Sequence, residues 1–367
     1  MRRKNQTEFR TALLGKTVMP KADPRNRPEH SLQEGDIKIS STLISDTSVS
    51  VVVATLDRPD DLRGCLLHLV AQETSRSVEI IVVDNHPASG LTPPVVAEFA
   101  GVRLIAEERQ GLAYARNKGI LASQGEIVVA TDDDVIAPPG WLEKLLAPFA
   151  SPGVMVVTGN VLPLSLETKA ERLYEAYGGL GRGSGRKVVD GDWFRKCRAA
   201  VPTWSLGATA NAAFRTSIFS HSQIGLMHEA LGPGMPSGTG EDIYVFYKVL
   251  KAGYTIVYEP AAWVWHKHRR DLPALRRQLF NYSKGHVAYH LTTLLRDGDW
   301  RAIINLAFLS PGTHVRRALR RLCGRDDYPL YMILLEVAGN LAGPWALWKS
   351  RQRVRREGPS TADKAGR

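Results

Sequence analysis

Two rhythms of apolar and polar positions alternate along the middle of this chain. Solid β-branched runs, SVSVVVAT at 48–55, VEIIVV at 78–83, VRLIA at 102–106 and IVVA at 127–130, have the length and composition of buried strands. Between them the spacing turns helical. Leu62, Leu66, Leu67, Leu69 and Val70 follow a helical period after Arg58–Pro59–Asp60–Asp61, which supplies the proline and the acids of a helix start. Residues 95–99 predict a short helix and 111–122 an alanine-rich one. Strand and helix in strict alternation predict a parallel sheet covered by helices, an α/β fold. A helix over 141–149 and a strand over 154–159 continue it. After Leu162 the alternation stops, and the glycine-rich 178–185 predicts a mobile loop. Regular structure returns at 203–214, 241–252 and 255–258, and the last third reads helical. Residues 1–46 are expected to be an irregular basic leader, with a weak strand over 37–44, ahead of a domain at 47–270 and a helical extension at 271–367.

Composition adds the ends to this picture. The chain has 367 residues, 44% of them hydrophobic, with a formal net charge of +11. Arg2, Arg3, Lys4, Arg10, Lys16, Lys21, Arg25 and Arg27 crowd the start; Arg316, Arg317, Arg320, Arg321, Arg325, Lys349, Arg351, Arg353, Arg355 and Arg356 crowd the end. Basic ends on a globular middle fit a polyanionic partner, membrane or nucleic acid, or else solvated charge. Cys65, Cys197 and Cys323 form no metal-binding spacing, which points to a reducing compartment and away from zinc. With no apolar signal stretch, the expected location is the cytoplasm. The run YPLYMILLEVAGNLAGPWALW at 328–348 is about long enough to span a bilayer, but Glu336 near its middle, with Gly339, Asn340, Gly343 and Pro344, argues against spanning. Basic flanks, Trp345 and Trp348 fit a segment lying on anionic lipid; a core helix docked on the main domain fits as well.

The candidate chemistry sits where strands end. GEIVVATDDDV at 125–135 closes on three carboxylates, and such a cluster is stable only if solvated or neutralised by a divalent cation. Strand alternation would turn Asp132 and Asp134 the same way, toward one hard cation. Thr55–Asp57, Asp84 and Asp132–Asp134 would share the carboxyl edge of a parallel sheet, where ligands collect. There Asp84 suits a nucleoside hydroxyl or base, or else makes a local turn. Glu241 and Asp242 open a helix, where acids are favoured whatever their function.

The ordered set VVVATLDRPDDL, EIIVVDNHPASG, GLAYARNKGI, EIVVATDDDV, GATANAAFR, GTGEDIYVFYKVLKAGY and VWHKHR, spread over residues 48–270, resembles family 2 glycosyltransferases of the GT-A fold. The resemblance implies a GT-A catalytic domain over 47–270: a Rossmann-like, mostly parallel sheet flanked by helices. It implies a nucleoside-diphosphate sugar donor, an acceptor hydroxyl (glycan, lipid-linked or secondary metabolite), polysaccharide biosynthesis as a setting, and transfer with inversion. Asp84, with the backbone at Ala54 and Thr55, corresponds to the base pocket. Asp134 corresponds to a direct ligand of Mn2+ or Mg2+, with Asp132 or Asp133 on ribose or a metal-bound water. Asp242 corresponds to the general base, its pKa expected to be raised by Glu241 and burial. His266 corresponds to a further metal ligand, with His268 its rival. Asn117 is expected on the nucleotide or bracing the aspartate loop, and Arg116 on phosphate or at the surface. The small-residue run 204–214 is expected near sugar and acceptor, with Trp204, Gly207 and Asn211 as contacts, Trp204 stacking on a sugar or lying in the core.

Asp57 departs from the Asn more usual there, and no QxxRW motif follows Glu241–Asp242, which argues against a processive synthase. A nucleic-acid-binding protein would need aromatic residues interleaved with basic ones, which the chain lacks. A nucleotidyltransferase would need a glycine-rich basic loop after the first strand, where ATLDRPDD stands. A non-catalytic nucleotide-sugar-binding homologue would not need both Asp134 and Asp242.

Overall fold

A computed structural model describes residues 47–361; the leader expected over 1–46 with its weak strand, and residues 362–367, lie outside them. The first β-branched run forms β1 (Val49–Thr55), buried along its whole length. It pairs in parallel with β2 (Val78–Asp84) on one side and β4 (Ile127–Asp132) on the other, and β3 (Val102–Ala106) extends the sheet beyond β2. The crossovers are α1 (Pro59–Val70), α2 (Thr92–Val96) and α3 (Leu112–Ala122). Gly119 lets α3 press onto β1, since a Cβ there would collide with Val52. Val52 and Ala54 face one layer of the core, Val51 and Val53 the other, which is why this strand reads as unbroken apolar sequence.

Beyond β4 the sheet becomes mixed. The strand β8 (Asn211–Arg215) runs antiparallel between β4 and β6 (Val154–Pro163), and β6 lies parallel to β9 (Thr255–His266). Two short strands, β5 (Val135–Ile136) and β7 (Lys187–Val189), pair antiparallel with β9. The helices between them are α4 (Trp141–Leu146), α5 (Lys169–Tyr177), α6 (Gly191–Lys196) and α7 (Glu241–Lys251).

Three departures from expectation have local causes. The second helix starts at Thr92 rather than Val95, because Pro93 and Pro94 fit its first turn. Pro148 ends α4 in a 3-10 turn. The strand expected to stop at Tyr258 continues to His266 past a register shift, at which Gly159 pairs with Glu259 but Asn160 with Trp263. That bulge carries Trp263, Trp265 and His266 into the sheet.

The helical extension is α8 (Leu272–Asp297), α9 (Arg301–Ile304), a π-helical turn at Asn305–Leu309, α10 (Ser310–Leu322) and α11 (Leu330–Glu357). Gly339 and Gly343 let α11 lie close along α8: a Cβ on them would stand 2.7 Å from Ser283 Cβ and 2.5 Å from Val287 Cβ. Ala288 and Tyr289 of α8 and Leu347 of α11 join the core beneath the sheet. Glu336 is buried and ion-paired to Arg317, with Tyr328 donating to it at 2.8 Å. By length and composition α11 could cross a membrane; here one of its faces is packed on α8.

Candidate active site

Register alone assembles the strand-end residues. Thr55 stands beside Asp84, and Ala54 beside Asp132, at the carboxyl edge of the parallel strands. The aspartates do not continue β4 as alternating strand residues. Asp132 ends the strand, and Asp133 and Asp134 form a turn into β5. Within that turn Asp133 points back into the sheet, accepting from Thr55 Oγ1 at 2.8 Å and from Arg58 Nη1 at 3.0 Å. The same Arg58 nitrogen donates to Asp134 Oδ2 at 2.9 Å. Burial raises Asp133 to about 6 even against the Arg58 charge. Burial also acts to raise Asp134, but His266 and then Arg58 outweigh it and hold the carboxyl below the usual range. Asp133 is therefore tied to the scaffold, and Asp132 and Asp134 are the pair turned elsewhere.

Those two meet His266. Ligand atoms of Asp132, Asp134 and His266 all lie within 4.8 Å of one another. His266 Nε2 is 3.1 Å from Asp134 Oδ1, a buried oxygen with no aligned hydrogen bond among the described residues. Behind it, His266 Nδ1 is 3.3 Å from His268 Nδ1, and His268 Nε2 is 2.8 Å from Glu175 Oε1. A proton pattern follows by assignment. Glu175 accepts from His268 Nε2, and His268 Nδ1 then accepts the Nδ1 hydrogen of His266. His266 Nε2 then faces a carboxylate oxygen, and two groups that close need a proton or a cation between them; a proton there charges His266 and is what lowers Asp134, and a cation would take its place. Two carboxylates and an imidazole suit a divalent cation, so the residues fit one. His266, not His268, is the residue at the cluster. His268 is fully buried behind it, edge-on to Tyr174.

Arg116 joins this cluster to the second acidic pair. It is buried on α3, with Nη2 2.6 Å from Asp132 Oδ1 and Nη1 3.0 Å from Glu241 Oε1 and 2.5 Å from Thr209 Oγ1. Glu241 Oε2 has no hydrogen-bond partner among the described residues, and burial followed by the charge of Asp242 raises Glu241 to about 7. Asp242 is half-buried and accepts from Ile243 N at 2.7 Å; burial raises its pKa too. Arg116 is thus neither a surface residue nor a side chain free for phosphate.

Other expectations need correcting. Asn117 is fully buried and spends its amide on Met227 and Glu229, so it touches neither nucleotide nor aspartate loop. Asn211 accepts from Trp141 Nε1 at 2.9 Å and donates to the carbonyls of Asn160 and Ala262, leaving nothing for a sugar. Gly207 has φ +119 and sits against Thr158, a site of close backbone approach inside the protein. Trp204 is half-buried, edge-on to His286 and His290. The loop at 178–185 is tied down by Arg182, which donates to the carbonyls of Trp204, Gly179 and Gly181. Asp84 accepts from His86 N at 3.0 Å in a local turn beside Thr55. Asp57 has φ 55, which Asp and Asn tolerate, and its bond to His86 gives that position a structural use.

Sequence reasoning passed over Arg58, Glu175 and Arg182. Arg58 carried a signal, a cation directly after the first strand-end feature. Glu175 carried none, since only folding brings α5 behind β9.

Residues 50–221 match the family model described as glycosyl transferase family 2. The pre-mycofactocin glycosyltransferase of Mycobacterium tuberculosis is 27% identical over 234 residues, 62% of this chain and 44% of that protein. Glycosyltransferase AglE of Haloferax volcanii is 33% identical over 119 residues, 31% of this chain and 39% of that protein. The chain therefore spans less than half the length of these curated relatives. Among solved structures, a mannosyltransferase of Pyrobaculum calidifontis in complex with GDP-Man and Mn2+ superposes with a TM-score of 0.49 at 18% identity, covering 98% of this chain and 84% of that one.

Proposed function

Through residues 50–221 the chain belongs to glycosyl transferase family 2, and from that premise we propose that it moves one sugar, with inversion, from a nucleoside-diphosphate sugar to an acceptor hydroxyl. The observation that carries this reading is the double ion pair of Arg116, which sets Asp132 of the cation cluster beside Glu241 and Asp242 in one site. In it, residues 47–270 hold the chemistry and 271–361 are a helical extension. Asp84 with the edge at Ala54 and Thr55 takes the base and ribose. Asp132, Asp134 and His266 hold the cation, Mn2+ rather than Mg2+ because an imidazole is among the ligands. When bound, the cation neutralises the diphosphate leaving group. Asp242 is the general base: it takes the acceptor proton as the acceptor oxygen forms the new bond to the anomeric carbon and the diphosphate departs with the bonding pair. A donor on one face and a base on the other is the arrangement that inverts the anomeric centre. Glu241 and Arg116 position this base rather than touch the sugar. The acceptor class proposed is a glycan or lipid-linked hydroxyl, in polysaccharide or related biosynthesis, and the site of work the inner face of the cell membrane.

The test is nucleoside diphosphate release from a panel of nucleotide sugars with Mn2+, comparing wild type with Asp242→Asn. Release by the wild type that the variant lacks supports the reading. Equal turnover by both would remove Asp242 from the base role, and no release from any donor would remove the transferase reading.

A further inference from the structure

We propose that α10 is a membrane-docking helix, held on the protein by its polar side so that its apolar side meets an anionic bilayer. This deepens the location proposed above and is independent of the sugar chemistry.

In an ordinary amphipathic helix the apolar stripe packs inward. Here the order is reversed. Ser310, His314 and Arg317, one helical face, point to α11: His314 Nε2 is 2.9 Å from Asn340 Nδ2, Ser310 Oγ accepts from the same amide at 3.3 Å, and Arg317 Nη1 is 2.5 Å from Glu336 Oε2. The opposite face carries Val315, Leu319 and Leu322, which are 59%, 56% and 70% exposed, and continues backward through Phe308 at 70%. None of the α10 side chains is buried. The helix therefore spends its polar groups on holding itself to the protein and leaves its apolar groups in water, an arrangement that gains free energy only when an apolar phase covers that stripe.

Charge selects the phase. From Ser310 to Arg325 there are five arginines and no acid. Arg317 is used by Glu336 and Arg321 lies on the same face, paired with Asp327, whereas Arg316 and Arg325 are exposed. An apolar stripe bordered by cations complements anionic headgroups over acyl chains. A protein partner burying Val315 and Leu319 would have to pair Arg316 and Arg325 with acids, and a second copy of this chain, at a net charge of +11, would bring like charge overall.

The exposed stripe of α11 (Leu334, Leu341, Trp345, Trp348) belongs to a different side. Glu336 and Asn340, which face α10, lie about half a turn away from it. One flat surface cannot take both stripes, and α10 is the one whose inward face is polar.

The experiment is flotation of the full chain with vesicles of phosphatidylcholine alone or mixed with phosphatidylglycerol, in low and high salt. Wild type is expected to float with the anionic vesicles only, and less in salt. Leu319→Glu with Leu322→Glu should lower that partition by more than about tenfold with unchanged melting temperature, because neither side chain supports the fold. Leu341→Glu should float like wild type. Retained flotation of the double variant, its loss in Leu341→Glu alone, or a concentration-dependent dimer abolished by the double variant would each overturn the proposal. Nucleoside diphosphate release in vesicle-free buffer is read on the same samples, so a failure of the transferase reading would leave this result standing.

Discussion

Arg116 Nη1 stands 3.0 Å from Glu241 Oε1 with both side chains almost fully buried, and this pair joins the helix after β3 to the helix that opens on the proposed base. A buried ion pair gains little over a well-packed apolar one, but losing one partner strands the other charge. Arg116→Met should therefore cost about 3–5 kcal/mol in urea unfolding. Adding Glu241→Gln to it should recover part of the loss, since only the less buried carboxylate of Asp132 is then left without this arginine. If the single and double variants unfold at the same midpoint, the pair is not what holds α7 against α3.

Asn211 gives a cleaner separation of structure from function. Its amide satisfies the indole of Trp141 and two carbonyls on neighbouring strands. Asn211→Ala leaves those buried groups unpaired, and a loss of about 2–4 kcal/mol follows. Where the variant remains folded, the KM for the donor should stay near wild type. A KM raised tenfold at unchanged stability would return Asn211 to the sugar site.

The central sheet was legible because β1, β2 and β4 are buried along most of their length and so appear as unbroken β-branched runs, as Val49–Thr55 does, whereas β3, also expected to be buried, is an edge strand with no fully buried residue. The carboxyl-edge acids were legible for the same reason: burial makes a terminal Asp84 or Asp132 conspicuous. What the sequence could not show was which polar groups the interior consumes. Asn117, Asn211 and Arg116 look available in a string of letters, yet apart from Asp132, 16 residues from Arg116, their side-chain partners lie 51 to 125 residues away in the chain. The same holds for the backing of His266, which depends on Glu175 of α5 reaching β9. The inverted docking of α10 was likewise invisible, because its periodicity shows an apolar stripe but not which way the stripe faces.

That backing predicts an effect on metal affinity. His268 and Glu175 fix the ring and the hydrogen pattern of His266, a role that outer partners of metal ligands share. Glu175→Gln and His268→Ala should each weaken Mn2+ binding, read by calorimetry without any sugar donor, by about 10–100-fold. His266→Ala should weaken it further, while the exposed Asp60→Ala should not change it. Calorimetry showing wild-type affinity in both outer variants would reduce the relay to a packing contact.

The acidic pair should leave its mark on pH dependence. Burial, then the Asp242 charge, raises Glu241 from 4.5 to about 7. Below pH 4.5 the carboxyl is protonated in both folded and unfolded chains and contributes nothing. Between 4.5 and about 7 the unfolded chain loses this proton and the folded chain keeps it, so the group lowers stability as pH rises across that window. Glu241→Gln carries no such proton. The stability of the variant relative to wild type should therefore climb from pH 4.5 to 7 and level off above it, by no more than about 3 kcal/mol. Activity should move the other way. Asp242 accepts a proton only when ionised, and burial raises it above its usual 3.8, so turnover should rise with pH on a limb displaced above the ordinary carboxylate range. A flat stability difference across the window would mean that Glu241 is ionised in the folded protein, held by Arg116 at full charge.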